Sequence, residues 1–167
     1  MDSLDLTLAD KIGDVLSLPE QINFWRSAKS KIVFTNGVFD LVHRGHLSYL
    51  AAAARLGDRL IVGINSDLSV KRIKGPERPI NDQQSRAALL ASLFYVDLVV
   101  VFDNDDPLSL ITQVKPDILV KGADYRVEDI VGCKEVLAYG GEVKLIQFIE
   151  GHSSTLLIDK IRNKQHV

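Results

Sequence analysis

The chain has one cysteine, Cys133, one methionine and one tryptophan among its 167 residues. A lone thiol cannot form an intramolecular bridge, so a disulfide framework is excluded and a reducing compartment is expected. No apolar run approaches the roughly 18 residues that mark a membrane span, and no contact with a membrane is expected. The first residues are acidic and lack the charged-then-apolar order of a secretory leader, so the expected location is cytoplasmic. Charge of one sign is also missing: 20 Lys and Arg against 22 Asp and Glu leave a net of −2. Without a long basic run, nucleic acid is not the expected partner. What is present, 46% hydrophobic and 25% charged residues, suits one globular domain with a sizeable core.

The most informative stretch is KIVFTNGVFDLVHRGHLSYL, residues 31–50. Ile32-Val33-Phe34 reads as a buried strand, Thr35 to Asp40 as a tight loop, and His43-Arg44-Gly45-His46 as the opening of an alanine-rich helix from Leu47 to Leu56. A strand feeding a helix through a glycine-containing loop holds phosphate well. Loop amides and the free N–H groups of the first helical turn converge on the anion. Gly37 and Gly45 let backbone and phosphate approach. His43 and His46, three residues apart, share one helix face, and both imidazoles can donate N–H groups to phosphate oxygens. The loop is neither the G-x-x-x-x-G-K-[ST] pattern nor the dinucleotide G-x-G-x-x-G. A zinc pair is the competing reading, but no third ligand lies nearby at zinc-like spacing.

Along the rest of the chain, strands and helices alternate. Residues 59–65, 97–102, 117–120 and 142–148 read as strands two to five. Helices are expected over 82–94, from Pro107 to Val114, over 127–139 (closed by Gly140-Gly141) and over 156–163. Asp103 to Asp106 read as helix-start acids rather than metal ligands. Arg86 falls equally well on a helix surface or in a site. This rhythm predicts an α/β fold, a Rossmann-like doubly wound sheet of five parallel strands with its ligand loops on one edge. Lys71 and Arg78 belong to a positive cluster, residues 70–79, read as a mobile loop able to close over phosphates. Ser153, Ser154 and Thr155 offer a second helix start with hydroxyls and unpaired amides.

Gly-Val-Phe-Asp followed by His-Arg-Gly-His resembles the HxGH nucleotidyltransferases, the cytidylyltransferase-like α/β enzymes. The resemblance covers about residues 30–163. It is nearest to the adenylyltransferases of bacterial ADP-heptose synthesis, on TNGVFDLVHRGH, GINSD, VKRIKGPERPIN, YVDLVVVF, ILVKGADY and GGEVKLI. The Arg-Thr-x-Gly-Ile-Ser-Thr run typical of glycerol-3-phosphate cytidylyltransferases is absent. His152 is a departure from the I-S-T-T or C-S-T-T pattern common before the last helix.

The resemblance implies residues 30–167 as a nucleotidyltransferase domain, with residues 1–29 as a helical extension packing on it or on a second subunit of a homo-oligomer, expected to be a dimer. It implies the reaction of ATP with D-glycero-β-D-manno-heptose 1-phosphate to give ADP-heptose and pyrophosphate. CTP with glycerol 3-phosphate is the alternative, and an inactive nucleotide-binding regulatory domain a further one. The implied catalytic residues are His43, His46 and Lys71. Nucleotide contacts fall to Thr35, Asn36, Gly37, Val38, Phe39, Gly45, Gly122, Asp124, Ser153, Ser154 and Thr155. Asp40, Asn65, Asp67, Arg78, Lys121, Asp124 and Tyr125 are assigned to the substrate. Mg²⁺ is expected as cofactor, held by ATP oxygens and water without a protein ligand set.

Overall fold

The computed structural model describes residues 8–123, 126–147, 151 and 153–163. Asp124, Tyr125 and His152, singled out above, lie outside the described residues. Six parallel strands form one sheet: β1 (Ile12–Gly13), β2 (Ile32–Gly37), β3 (Arg59–Asn65), β4 (Leu98–Phe102), β5 (Ile118–Gly122) and β6 (Glu142–Ile146). Their order is β1-β4-β3-β2-β5-β6. From β2 the chain steps to β3 and β4, then crosses back to lay β5 on the other side of β2. The order therefore reverses between β2 and β5, where α/β sheets open a crevice at the strand C-termini.

The central strands carry branched apolar residues on both faces because helices cover both. On one face α2 (Arg44–Ala54) and α4 (Gln83–Ala91) bury Leu50, Ala53, Leu90 and Ala91 against Val33, Val62, Ile64 and Val99. On the other, α1 (Leu18–Ser27), α5 (Leu108–Val114) and α6 (Cys133–Ala138) cover Phe34, Ile61, Val100 and Leu119. The short α3 (Asp67–Lys74) follows β3, and α7 (Ser154–Asn163) ends the described chain. At the foot of the sheet three carboxylates take up backbone donors of neighbouring strands. Asp58 accepts from Lys31 N at 2.7 Å, Asp117 from Ile32 N at 2.7 Å and Asp97 from Leu60 N at 2.8 Å.

Three expectations change. The sheet has a sixth strand, β1, whose two residues pair with Val99 and Val100. A two-residue strand carries no periodicity, so the sequence could not announce it. It comes from the segment set apart as an extension, and so does α1, whose Leu18, Ile22 and Trp25 lie in the same core cluster as Ile32 and Phe34. Residues 12–27 thus belong to the domain rather than packing on it from outside. The helix expected over 127–139 is split into a 3₁₀ turn (Val127–Asp129) and α6, with Gly132 between them at φ 85°. A Cβ there would lie 2.8 Å from Ile111 Cδ1, so only glycine lets α5 approach so closely.

Candidate active site

At the strand C-termini a cleft of about 470 Å³ opens over the β2–β5 reversal point. Its walls are the end of β2 with its loop (Asn36 to Asp40), His46, Asn65, the tail of α3 (Ile73, Lys74), Arg78, Asp105 to Pro107, Lys121, Asp129 to Val131, and Ser154 with Thr155.

Two helix starts meet there. Extended His43 precedes α2, and its carbonyl accepts from Leu47 N at 3.1 Å, leaving the first-turn amides without intrahelical acceptors. The two imidazoles stack at 3.9 Å with 23° between planes, and Phe39 covers His46 at 5.1 Å. His46 is buried enough that its pKa falls to about 4. Burial is the main cause and repulsion by His43 the next, against a weak upward pull from the Leu41 backbone. Its Nδ1 is enclosed with no hydrogen bond of normal geometry. At neutral pH His46 is therefore an uncharged imidazole, a donor that carries no proton in excess. The second start is that of α7. Ser153 Oγ accepts from Leu156 N at 3.1 Å as its cap, and Ser154 Oγ donates to the Leu41 carbonyl at 3.0 Å. That last bond joins the α7 start to the loop between β2 and α2.

Among the expected nucleotide contacts, Asn36, Gly37, Val38, Phe39, His46, Ser154 and Thr155 line the cleft. Gly37 packs closely under Phe39, whose ring a Cβ would meet at a tight 3.0 Å. Lys121 Nζ donates to Asn36 Oδ1, bringing β5 and β2 together across the reversal point. Gly45 is buried in α2 and Gly122 is buried at the end of β5. His43 touches the site through its stack on His46.

Several assignments are corrected. Thr35 lies inside the sheet and its hydroxyl shares a 2.7 Å hydrogen bond with Tyr49 OH, so it faces the core rather than a nucleotide. Ser153 spends its hydroxyl on capping α7. Lys71 is exposed and lies outside the cleft wall, whereas Lys74 lines it. Residues 70–74, the first half of the cluster read as a loop, belong to the helix Asp67–Lys74, so Lys74 shares a face with buried Val70.

Asp40, assigned above to the substrate, lies at the cleft wall with its carboxylate engaged inside the protein. It is fully buried, pairs with Arg78 Nε at 2.5 Å and accepts from Ile80 N at 2.8 Å and Asn81 N at 2.9 Å. Burial pushes its pKa upward, but the Asn81 and Ile80 amides and the Arg78 guanidinium outweigh that and leave it below the ordinary carboxylate value. Arg78 lines the cleft while anchored on Asp40, so it forms a fixed wall rather than part of a free loop. Asp67 is taken by Arg86 at 2.7 Å. Asn65, which does line the cleft, donates to Ser69 Oγ at 3.0 Å.

Fold and site together define an α/β domain of Rossmann type, with two helix starts and several cations around one crevice. The chain belongs to the cytidylyltransferase-like family, whose model matches residues 34–160. Among curated relatives it is similar to proteins named "Bifunctional protein HldE". That of Magnetococcus marinus is 51% identical over 92% of this chain and 31% of the relative. That of Campylobacter concisus is 54% identical over 93% and 32%. The chain thus spans about a third of the length of these relatives. Among solved structures, the lipopolysaccharide core biosynthesis protein from Thermoplasma volcanium is 32% identical, with a TM-score of 0.58 over 74% of this chain and 99% of that one. A pantoate-β-alanine ligase from Francisella tularensis, at 19% identity, TM-score 0.57 and 92% and 76% coverage, shares the fold.

Proposed function

We propose that the domain is an adenylyltransferase. It joins ATP and D-glycero-β-D-manno-heptose 1-phosphate into ADP-D-glycero-β-D-manno-heptose and pyrophosphate, a precursor step of lipopolysaccharide core synthesis. The observation that carries this reading is the meeting of His46, Ser154 and Thr155 in one cleft with Lys74, Arg78 and Lys121. The HldE relatives and the lipopolysaccharide name of the Thermoplasma protein support the sugar.

In this reaction an oxygen of the sugar phosphate attacks the α-phosphorus in line, and pyrophosphate leaves. The nucleophile is already anionic, so catalysis needs placement and charge neutralisation more than a strong base. His46, with His43 stacked on it, donates to oxygens of the reacting phosphates. Ser154, Thr155 and the first-turn amides of α7 take the leaving pyrophosphate. Lys74, Arg78 and Lys121 offset the negative charge. Mg²⁺ arriving with ATP would add charge neutralisation, and Asp105, Asp106 and Asp129 of the cleft wall would help to hold it. A cytoplasmic homo-oligomer, a dimer in the simplest case, completes the reading. Among the described residues no helix is long and apolar enough to cross a membrane.

The test is pyrophosphate release measured for each nucleoside triphosphate with each phosphorylated acceptor. ATP with the heptose phosphate is expected to dominate, and turnover confined to CTP with glycerol 3-phosphate would reverse the substrate assignment. His46→Ala is expected to lower kcat by about 10²-fold or more. An unchanged kcat would remove His46 from the reaction.

A further inference from the structure

Arg86 has no role in the reading so far, yet it is among the largest fully buried side chains, at 1% exposure. It sits in the first half of α4, and its guanidinium reaches three separate segments. Nε donates to the Asn81 carbonyl at 3.0 Å, Nη1 to the Val38 carbonyl at 2.8 Å and Nη2 to Asp67 Oδ1 at 2.7 Å. A planar fork suits three acceptors fixed in space, which a lysine ammonium cannot span.

The Val38 contact bears on the cleft through peptide geometry. The only cis bond among the described residues is Arg78–Pro79, so the Val38–Phe39 peptide is trans and its C=O and N–H point in opposite directions. With the carbonyl held toward buried Arg86, the Phe39 N–H is turned away from Arg86, and both Val38 and Phe39 line the cleft. Among the described residues this N–H has no hydrogen-bond acceptor. Phe39 also has φ 49°, a left-handed conformation that a bulky residue keeps only when its surroundings hold it there.

We propose that Arg86 is a positioning residue: by fixing the Val38 carbonyl it aims the Phe39 amide into the cleft as a rigid donor to a phosphate oxygen of the bound nucleotide. The inference rests on the nucleotidyl-transfer reading above. A preset donor favours the transition state, where charge on the phosphate oxygens is redistributed, more than it favours ground-state binding. Loss of aim should therefore appear in kcat before KM.

The test combines amide NMR of the whole chain with kinetics of Arg86→Lys, which keeps the charge and loses the fork. In the wild type, ATP alone is expected to shift the Phe39 amide resonance strongly. In R86K that response should vanish and kcat should fall by about 10- to 100-fold, with KM for ATP within about 3-fold. A folded R86K with wild-type kcat and an intact Phe39 response overturns the proposal, even if its melting temperature drops. Should R86K fail to fold, the wild-type titration decides alone: a silent Phe39 amide at saturating ATP overturns it. A wild type that turns over no nucleotide would instead sink the functional reading. Turnover with a silent Phe39 would sink only the role of Arg86.

Discussion

His46 illustrates how environment rather than residue type sets chemistry. An imidazole in water titrates near 6.5, and burial beside His43 lowers this one to about 4. Between those values the unfolded chain binds a proton that the folded chain refuses. Folding stability therefore falls as pH drops through that window, by about 3 kcal/mol once below 4. A polyphosphate placed against the ring opposes this by favouring the cation. Nitrogen-15 spectra of the histidines should show His46 titrating near pH 4 in the free protein and clearly higher with ATP bound. A free-protein value near 6.5 would mean that the ring is solvated and the site is not enclosed as described. His46 was legible in the sequence because its partners, Phe39 and His43, lie within seven residues. Arg86 was not, because two of its acceptors, Val38 and Asp67, lie 48 and 19 residues away. One signal was available: Arg86 stands four residues before Leu90, a fully buried member of the same helix, so the two share a face.

At the scale of elements, the segment from Gly75 to Asp82 departs most from expectation. It holds the second half of the positive cluster, residues 70–79, that suggested a mobile loop closing over the phosphates. Asp40 instead anchors its second half through Arg78, Ile80 and Asn81, and the Asn81 side chain returns a bond to the Asp40 carbonyl at 2.9 Å. Asp40→Ala would take the acceptor from a half-buried guanidinium and two amides, and the expected loss is about 2–3 kcal/mol in urea denaturation. A loss below 1 kcal/mol would show that the segment holds itself in place. Because Asp40 titrates below its ordinary value, its contribution is present above the unfolded carboxylate pKa and disappears as acid protonates it. The pairing was hidden because an acid beside a phosphate motif suggests a ligand contact, while its neutralising partner lies 38 residues on.

At the scale of the molecule, the five long strands could be read directly: β2 to β5 hold apolar runs that only a sheet covered on both faces can bury, and the edge strand β6 mixes polar Glu142 and Lys144 with Val143, Leu145 and Ile146. The N-terminal segment could not, because its contribution depends on tertiary contacts. Trp25 is buried in the core cluster with Arg59 over its ring at 5.6 Å, and Arg59 in turn pairs with Asp97 at 2.8 Å. Trp25→Ala should therefore cost about 3–5 kcal/mol by urea or thermal unfolding. A near-neutral result would restore the view of residues 1–29 as an appendage. The aspartates at the foot of the sheet have a longer reach. A slip of one residue in any parallel pair would turn every side chain to the wrong face. Asp58, Asp97 and Asp117 each seize a particular amide of the adjacent strand and so act as alignment pins. The rim of the cleft thus takes its geometry from hydrogen-bonded anchors at the far end of the strands, and damage to a pin there would be felt as a displaced cleft wall at the top.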